Sequence, residues 1–564
     1  MEKEALYEKL ADLMFPNVLD TIEDLEAKYP KRDLKEGAEV TRFAPSPTGF
    51  LHSGALYGST LDMKIARQSN GVFYLRIEDT DTKREVEGSV KDIIEQLKAF
   101  EIESDEGPID ENTERGNYGP YKQSERRAIY EICAKELVRR GRAYPCFCTS
   151  EDLEVLRTSQ EKNKQITGYY GIYARCRNNS VEDMIKRVES GEHYVVRFRS
   201  NGSHMKKISF IDSIRGKIEM ADNDQDIVII KSDGLPTYHF AHAVDDHFMR
   251  TTTVIRGEEW IPSTALHLEL FDALGFEKVK YAHTPTIMKN DNGAKRKLSK
   301  RKDPEASVEF FFESGYPVAA MNEYLLTILN SNYEPWRMKN PDANINEFEV
   351  KLDKINSAGA LFDLVKITDI SKNIIAKMKS DELLKALLDW SKAYDEKLYN
   401  ILKEDLEYAK NILAIERDDA VKIRKDFGKY TDVLPNIFYF YDKLFEEDIS
   451  NGYNFDYASK GIKDEDVVAI LEKYIEIYDE KDLKDEWFSK VKVLTESLGF
   501  ASNMKEYKAN PEKFKGSIAD VTGLLRVAIC NRQNSPDIYA LMSVMKKDRV
   551  IKRLEKAMSF VKGE

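Results

Sequence analysis

Two short segments carry residue types suited to holding a polyphosphate. The first is Pro45-Ser-Pro-Thr-Gly-Phe-Leu-His52-Ser-Gly54-Ala55. Two prolines and Gly49 impose an abrupt turn at the end of a strand-like run, and Gly54 lets a ligand approach the backbone closely. An imidazole stands where a helix begins, and the unpaired N–H groups of a helix N-terminus attract an anion. The second segment is Lys295-Arg-Lys-Leu-Ser-Lys-Arg-Lys302. From Lys289 to Lys302, seven basic residues against Asp291 leave a net charge of +6. Asn290-Asp291-Asn292-Gly293 reads as a flexible turn. The expectation is a mobile basic loop that closes on phosphates, with lysine ammonium groups as point charges. Taken singly, the first segment reads equally well as a proline-rich surface turn and the second as a solvated basic loop; their joint occurrence carries the argument.

The elements that must position these residues follow from periodicity. Glu39-Val-Thr-Arg-Phe-Ala44 reads as a strand. A helical pattern carrying Leu56, Leu61 and Ile65 runs from about Ala55 to Gln68. Val72-Phe-Tyr-Leu-Arg-Ile77 reads as a buried strand ending in Glu78-Asp79-Thr80-Asp81. Strand, helix and strand in succession build a parallel sheet, and ligands bind at the carboxyl ends of its strands. Strand signals return at Asp226–Ile230 and Thr252–Arg256, and a helix is expected from Ser263 to Leu274, stopped by Gly275. Residues 1–38 read as helix with a loop, on the spacing of Leu6, Leu10, Leu13 and Met14. The stretch 119–230, rich in Arg, Tyr and Cys, reads as an insertion. From about 305 onward the pattern is helical, as at Leu383, Leu384, Leu387 and Leu388. Only seven glycines follow residue 380, too few for the turns of β-barrels.

Composition excludes several classes. At about 100–200 residues per domain, 564 residues make three to five domains. Charged residues at 33% and apolar residues at 42% are those of a soluble globular protein. There is no run of about 18 apolar residues, so no membrane span is expected. The N-terminus is charged and lacks an apolar signal core, and five cysteines suit a reducing compartment, so a cytoplasmic location is expected. A net charge of −13 speaks against a nucleic-acid partner, but it is a whole-chain sum, whereas binding depends on where the cations sit. All eight histidines lie at or before His283, which assigns any imidazole chemistry to the first half of the chain.

The Pro-x-Pro-Thr-Gly-x-x-His52-x-Gly54 segment, followed some 245 residues later by Lys297-Leu-Ser-Lys300-Arg301, resembles the two nucleotide-binding signatures of class I aminoacyl-tRNA synthetases. More narrowly, the chain resembles the bacterial glutamyl-tRNA synthetases. Arg42-Phe-Ala-Pro, Arg76-Ile-Glu-Asp-Thr-Asp81, Tyr121-Lys-Gln-Ser-Glu-Arg126, Thr237-Tyr-His-Phe-Ala241, Asp245-Asp-His-Phe-Met249 and Ile255-Arg-Gly-Glu-Glu-Trp260 agree with it. So do Leu525-Arg-Val-Ala528, Arg532-x-x-Ser-Pro-Asp537 and Arg549-Val-Ile-x-Arg-Leu554 near the end.

The resemblance implies an α/β, doubly wound, Rossmann-like parallel-sheet catalytic domain in 39–118 and 231–305. An inserted α+β domain in 119–230 would bind the acceptor end. A stem-contact domain in 306–378 and an all-α anticodon-binding region in 379–564 would follow; the helical extension 1–38 has no counterpart. The implied reaction joins L-glutamate to tRNA(Glu) through glutamyl-adenylate, with ATP as substrate and Mg2+ beside it, in a monomer with no membrane partner. His52 and Lys300 would be catalytic. Ser46, Thr48, His52, Gly54, Glu259, Lys297 and Lys300 would bind ATP. Arg42, Ala44, Ser46, Glu78, Tyr238, His242, Arg256 and Trp260 would bind glutamate, with Arg42 on the side-chain carboxylate, Arg256 on the α-carboxylate and Glu78 on the ammonium. Two departures stand out. Ala55 replaces the usual last residue of the histidine signature, and Asn178 replaces the histidine of a Cys-x-His pair. Some members hold zinc at that pair; here Cys146, Cys148 and Cys176 are read as reduced structural thiols rather than zinc ligands, with Tyr173 or water as the fourth donor if a metal binds. A glutaminyl-tRNA synthetase would need C-terminal β-barrels, which the helical pattern opposes. A catalytically inactive, synthetase-like RNA-binding protein would not need His52, Lys300, Arg42, Glu78 and Arg256 together.

Overall fold

In the computed structural model, which describes residues 2–48, 51–81, 86, 88–299, 301–418 and 420–564, the first polyphosphate segment sits inside a β-α-β unit. β1 (Val40–Phe43), α1 (Ser53–Gln68) and β2 (Val72–Leu75) follow one another, and β1 pairs with β2 in parallel, Arg42 opposite Tyr74. The pattern recurs later as α2 (Tyr238–Phe248), β3 (Thr253–Gly257), α3 (Thr264–Leu274) and β4 (Lys280–Thr284). β3 and β4 are also parallel, with Arg256 opposite His283. The two pairs lie side by side. Thr252 N–H donates to the Val40 carbonyl at 3.0 Å, and Val40 N–H donates to Thr252 Oγ1 at 2.8 Å. Strands covered on both faces are near-continuously apolar, which accounts for the buried run Phe73-Tyr-Leu75 and for Val254-Ile255.

Element boundaries shift for local reasons. The first helix begins at Ser53 rather than Ala55, because His52 acts as its N-cap. The helix expected from Ser263 starts one residue later and ends at Gly275, whose φ of 77° closes it in the left-handed region. Within the middle stretch, Ala143–Cys146, Val195–Phe198 and Val228–Ile230 form a separate antiparallel sheet. The hairpin Lys207–Asp212 and Gly216–Ala221 instead joins the edge of the catalytic sheet, with Asp212 beside Tyr281 of β4.

The chain forms two compact units, Met1–Phe310 with Asn322–Asp363, and Phe311–Met321 with Leu364–Glu564. The N-terminal helices Glu2–Met14 and Ile22–Lys28 belong to the core of the first. Leu10, Ala11, Met14, Phe15 and Leu25 are buried in the same cluster as Ile129, Cys133 and Leu137. Arg32, just beyond, holds Glu106 with two parallel bonds of 2.7 and 2.8 Å. The second unit is helical, and among its described residues it contains no strand element, only an isolated bridge between Ala501 and Ser517. Leu383, Leu384, Leu387, Leu398 and Leu402 are buried in its core, as the 3.6-residue period requires. Its motif arginines close the bundle. Arg526 donates to the Pro536 carbonyl at 2.9 Å, and Arg553 to the Ile529 carbonyl at 2.7 Å. No described helix is long and apolar enough to cross a membrane.

Candidate active site

A cleft of about 750 Å3 opens at the carboxyl ends of β1 and β3. The turn after β1 supplies Ala44, Ser46 and Thr48, and the start of α1 supplies His52 and Gly54. Arg42, Glu78, Tyr238 and Arg256 line the same cleft, as do Glu259, Trp260 and Lys297. Twelve of the fourteen residues proposed from the sequence are therefore together. The other two are His242, discussed below, and Lys300, which with Gly49 of the turn lies outside the described residues.

His52 caps α1 with its own ring. Nδ1 accepts the Ala55 N–H at 3.0 Å, so the ring proton is on Nε2. Gly54 serves this cap directly, since a Cβ there would stand 2.9 Å from His52 Nδ1. The turn is pinned to the strand beyond by Arg76 N–H to the Phe43 carbonyl and Glu78 N–H to the Pro45 carbonyl, each 3.0 Å.

The floor is an unusually charged interior. Arg42 Nε donates to Asp246 Oδ1 at 3.2 Å, and Arg76 Nη1 donates to the same oxygen at 2.9 Å. Arg76 also reaches Glu78 Oε1 at 3.1 Å. Asp246 and Arg76 are fully buried and Arg42 is only 4% exposed. Burial alone would raise the Asp246 carboxyl, but Arg42 and Arg76 outweigh it and hold the group well below the usual carboxylate range. Burial raises Glu78, against the pull of Arg76 and Arg42. Next to Asp246, Asp245 takes Arg126 at 2.6 Å, Tyr130 at 2.8 Å and Gln123 at 2.9 Å. α2 thus anchors three arginines of the neighbouring elements through two adjacent carboxylates.

His242, expected to touch the amino acid, is placed elsewhere. It is fully buried behind Tyr238, with Nε2 2.9 Å from Tyr281 Oη and Nδ1 2.5 Å from Asp246 Oδ2. Burial pushes its pKa down to about 3, so it is neutral. It lies against Asp246 and does not line the cleft. Tyr238 itself packs on Trp260, with ring centroids 4.2 Å apart, and the two form an aromatic wall.

The first part of the basic segment forms a hairpin, and Lys300 lies outside the described residues. Met288–Asp291 pairs antiparallel with Ala294–Lys297, and Asn292 and Gly293 turn it with φ of 51° and 89°. Among its six described cations, Arg296 and Lys289 meet carboxylates. Arg296 grips Asp303 with bonds of 2.6 and 2.7 Å, and Lys289 pairs with Asp303 and Glu305. Lys297 is exposed and lines the cleft.

Cys146, Cys148 and Cys176 converge, with their sulfurs within 4.8 Å of one another. Tyr169 Oη sits among them, 3.4 Å from Cys146 Sγ and 3.3 Å from Cys148 Sγ, and accepts the Cys176 N–H at 3.0 Å. Tyr173, the fourth donor expected from the sequence, packs against Tyr170 instead. Hydrogen bonding from Cys148 and Cys176 lowers the Cys146 thiol. Three convergent sulfurs with one phenol oxygen are chemically suited to a tetrahedral zinc ion.

A doubly wound parallel sheet with a histidine-capped helix at its binding edge is the architecture of a class I aminoacyl-tRNA synthetase. Residues 39–351 match the family described as tRNA synthetases class I (E and Q), catalytic domain, and residues 382–558 match the family described as anticodon binding domain. The glutamate--tRNA ligase of Clostridium perfringens is 48% identical over 98% of this chain and all of its own length. That of Acetivibrio thermocellus is 46% identical over the same shares. The crystal structure of glutamate-tRNA synthetase from Elizabethkingia anophelis superposes with a TM-score of 0.73 at 28% identity, covering 93% of this chain and all of that one. The chain belongs to the glutamate--tRNA ligase family.

Proposed function

We propose that the cleft binds L-glutamate by its three charges and ATP by its phosphates, and joins the amino acid to tRNA(Glu) in two steps. The chain is a ligase that attaches glutamate to tRNA. In the first step the α-carboxylate attacks the α-phosphorus of ATP and pyrophosphate leaves. In the second, a terminal ribose hydroxyl of the tRNA attacks the glutamyl carbonyl and AMP leaves. Neither step requires a covalent enzyme intermediate, so the protein's work is alignment and charge stabilisation.

The observation that carries this reading is the convergence of two guanidiniums, Arg42 and Arg256, and one carboxylate, Glu78, on the cleft that also holds His52. Glutamate presents two carboxylates and one ammonium, the complementary set. Arg42 would grip the side-chain carboxylate, Arg256 the α-carboxylate and Glu78 the ammonium. Tyr238 and Trp260 would cover the chain between them, and Ala44 and Ser46 would form the rim. The Nε2–H of His52, the backbone at Gly54, Thr48 and Lys297 would take ATP, with Glu259 at its nucleoside end. Mg2+ would travel with ATP on its phosphates. The region 119–230 would receive the acceptor end and 379–564 the anticodon.

Glutamate-dependent pyrophosphate exchange, run with tRNA present, tests the reading. Lys300→Ala should slow exchange about 100–1000-fold, the cost of about 2.7–4 kcal/mol for a donor used mainly in the transition state. Wild-type exchange in that variant would remove Lys300 from the chemistry.

The cysteine cluster would hold one structural zinc through Cys146, Cys148, Cys176 and Tyr169. Zinc there would fix the loop carrying Tyr169 to the strand Ala143–Cys146. Elemental analysis of the purified protein should find about one zinc per chain, lost in Cys148→Ser. Metal-free wild type would leave the cluster as reduced thiols.

A further inference from the structure

The two guanidiniums of the cleft are held in opposite ways. Arg42 shares the Asp246 carboxylate with Arg76. Arg256, by contrast, has no carboxylate within ion-pair distance among the described residues. Its Nε donates to His283 Nε2 at 3.0 Å, its Nη1 lies 3.1 Å from His267 Nδ1, and its Nη2 donates to Thr264 Oγ1 at 3.1 Å. The guanidinium also lies 4.6 Å from the centre of the Tyr281 ring.

Arginine can only donate, so both imidazoles must accept, which fixes their tautomers. His267 then carries its proton on Nε2, 2.9 Å from His239 Nδ1. His283 carries its proton on Nδ1, 2.7 Å from Asp212 Oδ2. Asp212 is itself fixed by the backbone N–H groups of Ile214, Arg215 and His283 at 2.9–3.0 Å. His267 and His283 are fully buried. Burial, reinforced by the neighbouring Arg256, lowers the pKa of both, in keeping with two neutral acceptors.

A carboxylate at either position would bind Arg256 more strongly than an imidazole does, but it would also cancel the charge a ligand carboxylate must meet. We propose that His267 and His283 are positioning residues that aim Arg256 into the cleft while leaving its charge uncompensated, so that the affinity of that end of the site for an amino-acid carboxylate depends on their neutrality. This inference rests on the assignment of Arg256 to the ligand's carboxylate.

The test compares His267→Asn with His267→Asp. The two side chains have the same shape and both present an oxygen near the position of Nδ1, but only one is charged. The glutamate KM, measured by pyrophosphate exchange with tRNA present, should rise less than about threefold in His267→Asn and at least about tenfold in His267→Asp. The ATP KM should stay within about twofold in both. A purely structural role for His267 would move both variants together, and equal glutamate KM values would overturn the proposal. If His267→Asp does not fold, His283→Gln against His283→Glu makes the same comparison at the other acceptor, with the same two outcomes. Arg256→Gln separates the premises. An unchanged glutamate KM there overturns the assignment of Arg256, whereas a raised KM there with no Asn–Asp difference overturns only the role of the histidines.

Discussion

Replacing Arg42 by alanine is expected to raise the glutamate KM about 100-fold or more while leaving the ATP KM within a few-fold. Arg42 is almost fully enclosed, and its position is set by Asp246 and by a 3.4 Å bond to the Ile255 carbonyl. A guanidinium held on one edge by the protein offers its other N–H groups to a ligand carboxylate, where two parallel bonds are both strong and directional. Removing it would abolish those bonds and leave the glutamate side-chain carboxylate without the guanidinium proposed to face it. ATP would meet the other end of the cleft, at His52 and Lys297, and would not depend on this contact. Arg42→Lys should restore little, because an ammonium cannot reproduce the fork. Pyrophosphate exchange over a grid of glutamate and ATP concentrations reads both constants, and equal rises in the two would remove Arg42 from the amino-acid end.

Asp246→Asn should produce the largest loss of stability, about 3–5 kcal/mol, because it removes the carboxylate that two buried guanidiniums share. The carboxylate accepts from Arg76 at 2.9 Å, Thr251 at 3.0 Å, Arg42 at 3.2 Å and Tyr74 at 3.3 Å. An amide keeps the shape and loses the charge. Urea denaturation compared with the wild type reads the cost, and any folded fraction should also show a raised glutamate KM because Arg42 loses its anchor. The sign of the pH effect follows from the lowered pKa. The stabilisation from Asp246 is complete above the unfolded value of 3.8 and is lost only as pH falls through the lower folded value. Between pH 6 and 8 the penalty of Asp246→Asn should therefore be constant. A destabilisation below 1 kcal/mol would mean that Arg42 and Arg76 are held by something other than this carboxylate.

These two residues mark where the sequence is and is not legible. Arg42, Ser46, Thr48, His52 and Gly54 stand in one strand, one turn and one helix start, so local rules place them together without knowledge of the rest of the fold. Glu78 follows because it ends the next strand of the same unit. Asp246, His267, His283 and Asp212 act on Arg42 and Arg256 from four other elements, and only the closed sheet brings them into register. Their types give little away, because a buried carboxylate and a surface carboxylate are the same letter. Two signals are legible: the adjacent acids Asp245-Asp246 in the helix Tyr238–Phe248, and the confinement of all histidines to the first half. His239, His242, His267 and His283 do cluster, around Tyr238 and Arg256. Asp303 and Glu305, just past the basic run, likewise occupy Arg296 and Lys289, pairings that the run itself does not announce. The N-terminal 38 residues looked like an appendage because their partners, Glu106, His247 and Arg250, are distant in sequence. Glu26 pairs with His247 and Arg250, each at 2.5 Å, which ties the extension to the end of α2.

The claim at the centre is that the cleft recognises its amino acid by charge at three points. Steady-state charging of purified tRNA(Glu) with glutamate against glutamine tests it most directly, because the two differ only in the group that Arg42 would meet. The wild-type enzyme should prefer glutamate by about 10,000-fold or more in kcat/KM, as expected when a buried polar partner is left mismatched, and the preference should fall to within about tenfold in Arg42→Ala. A wild-type preference below tenfold, or one that survives Arg42→Ala intact, would contradict it.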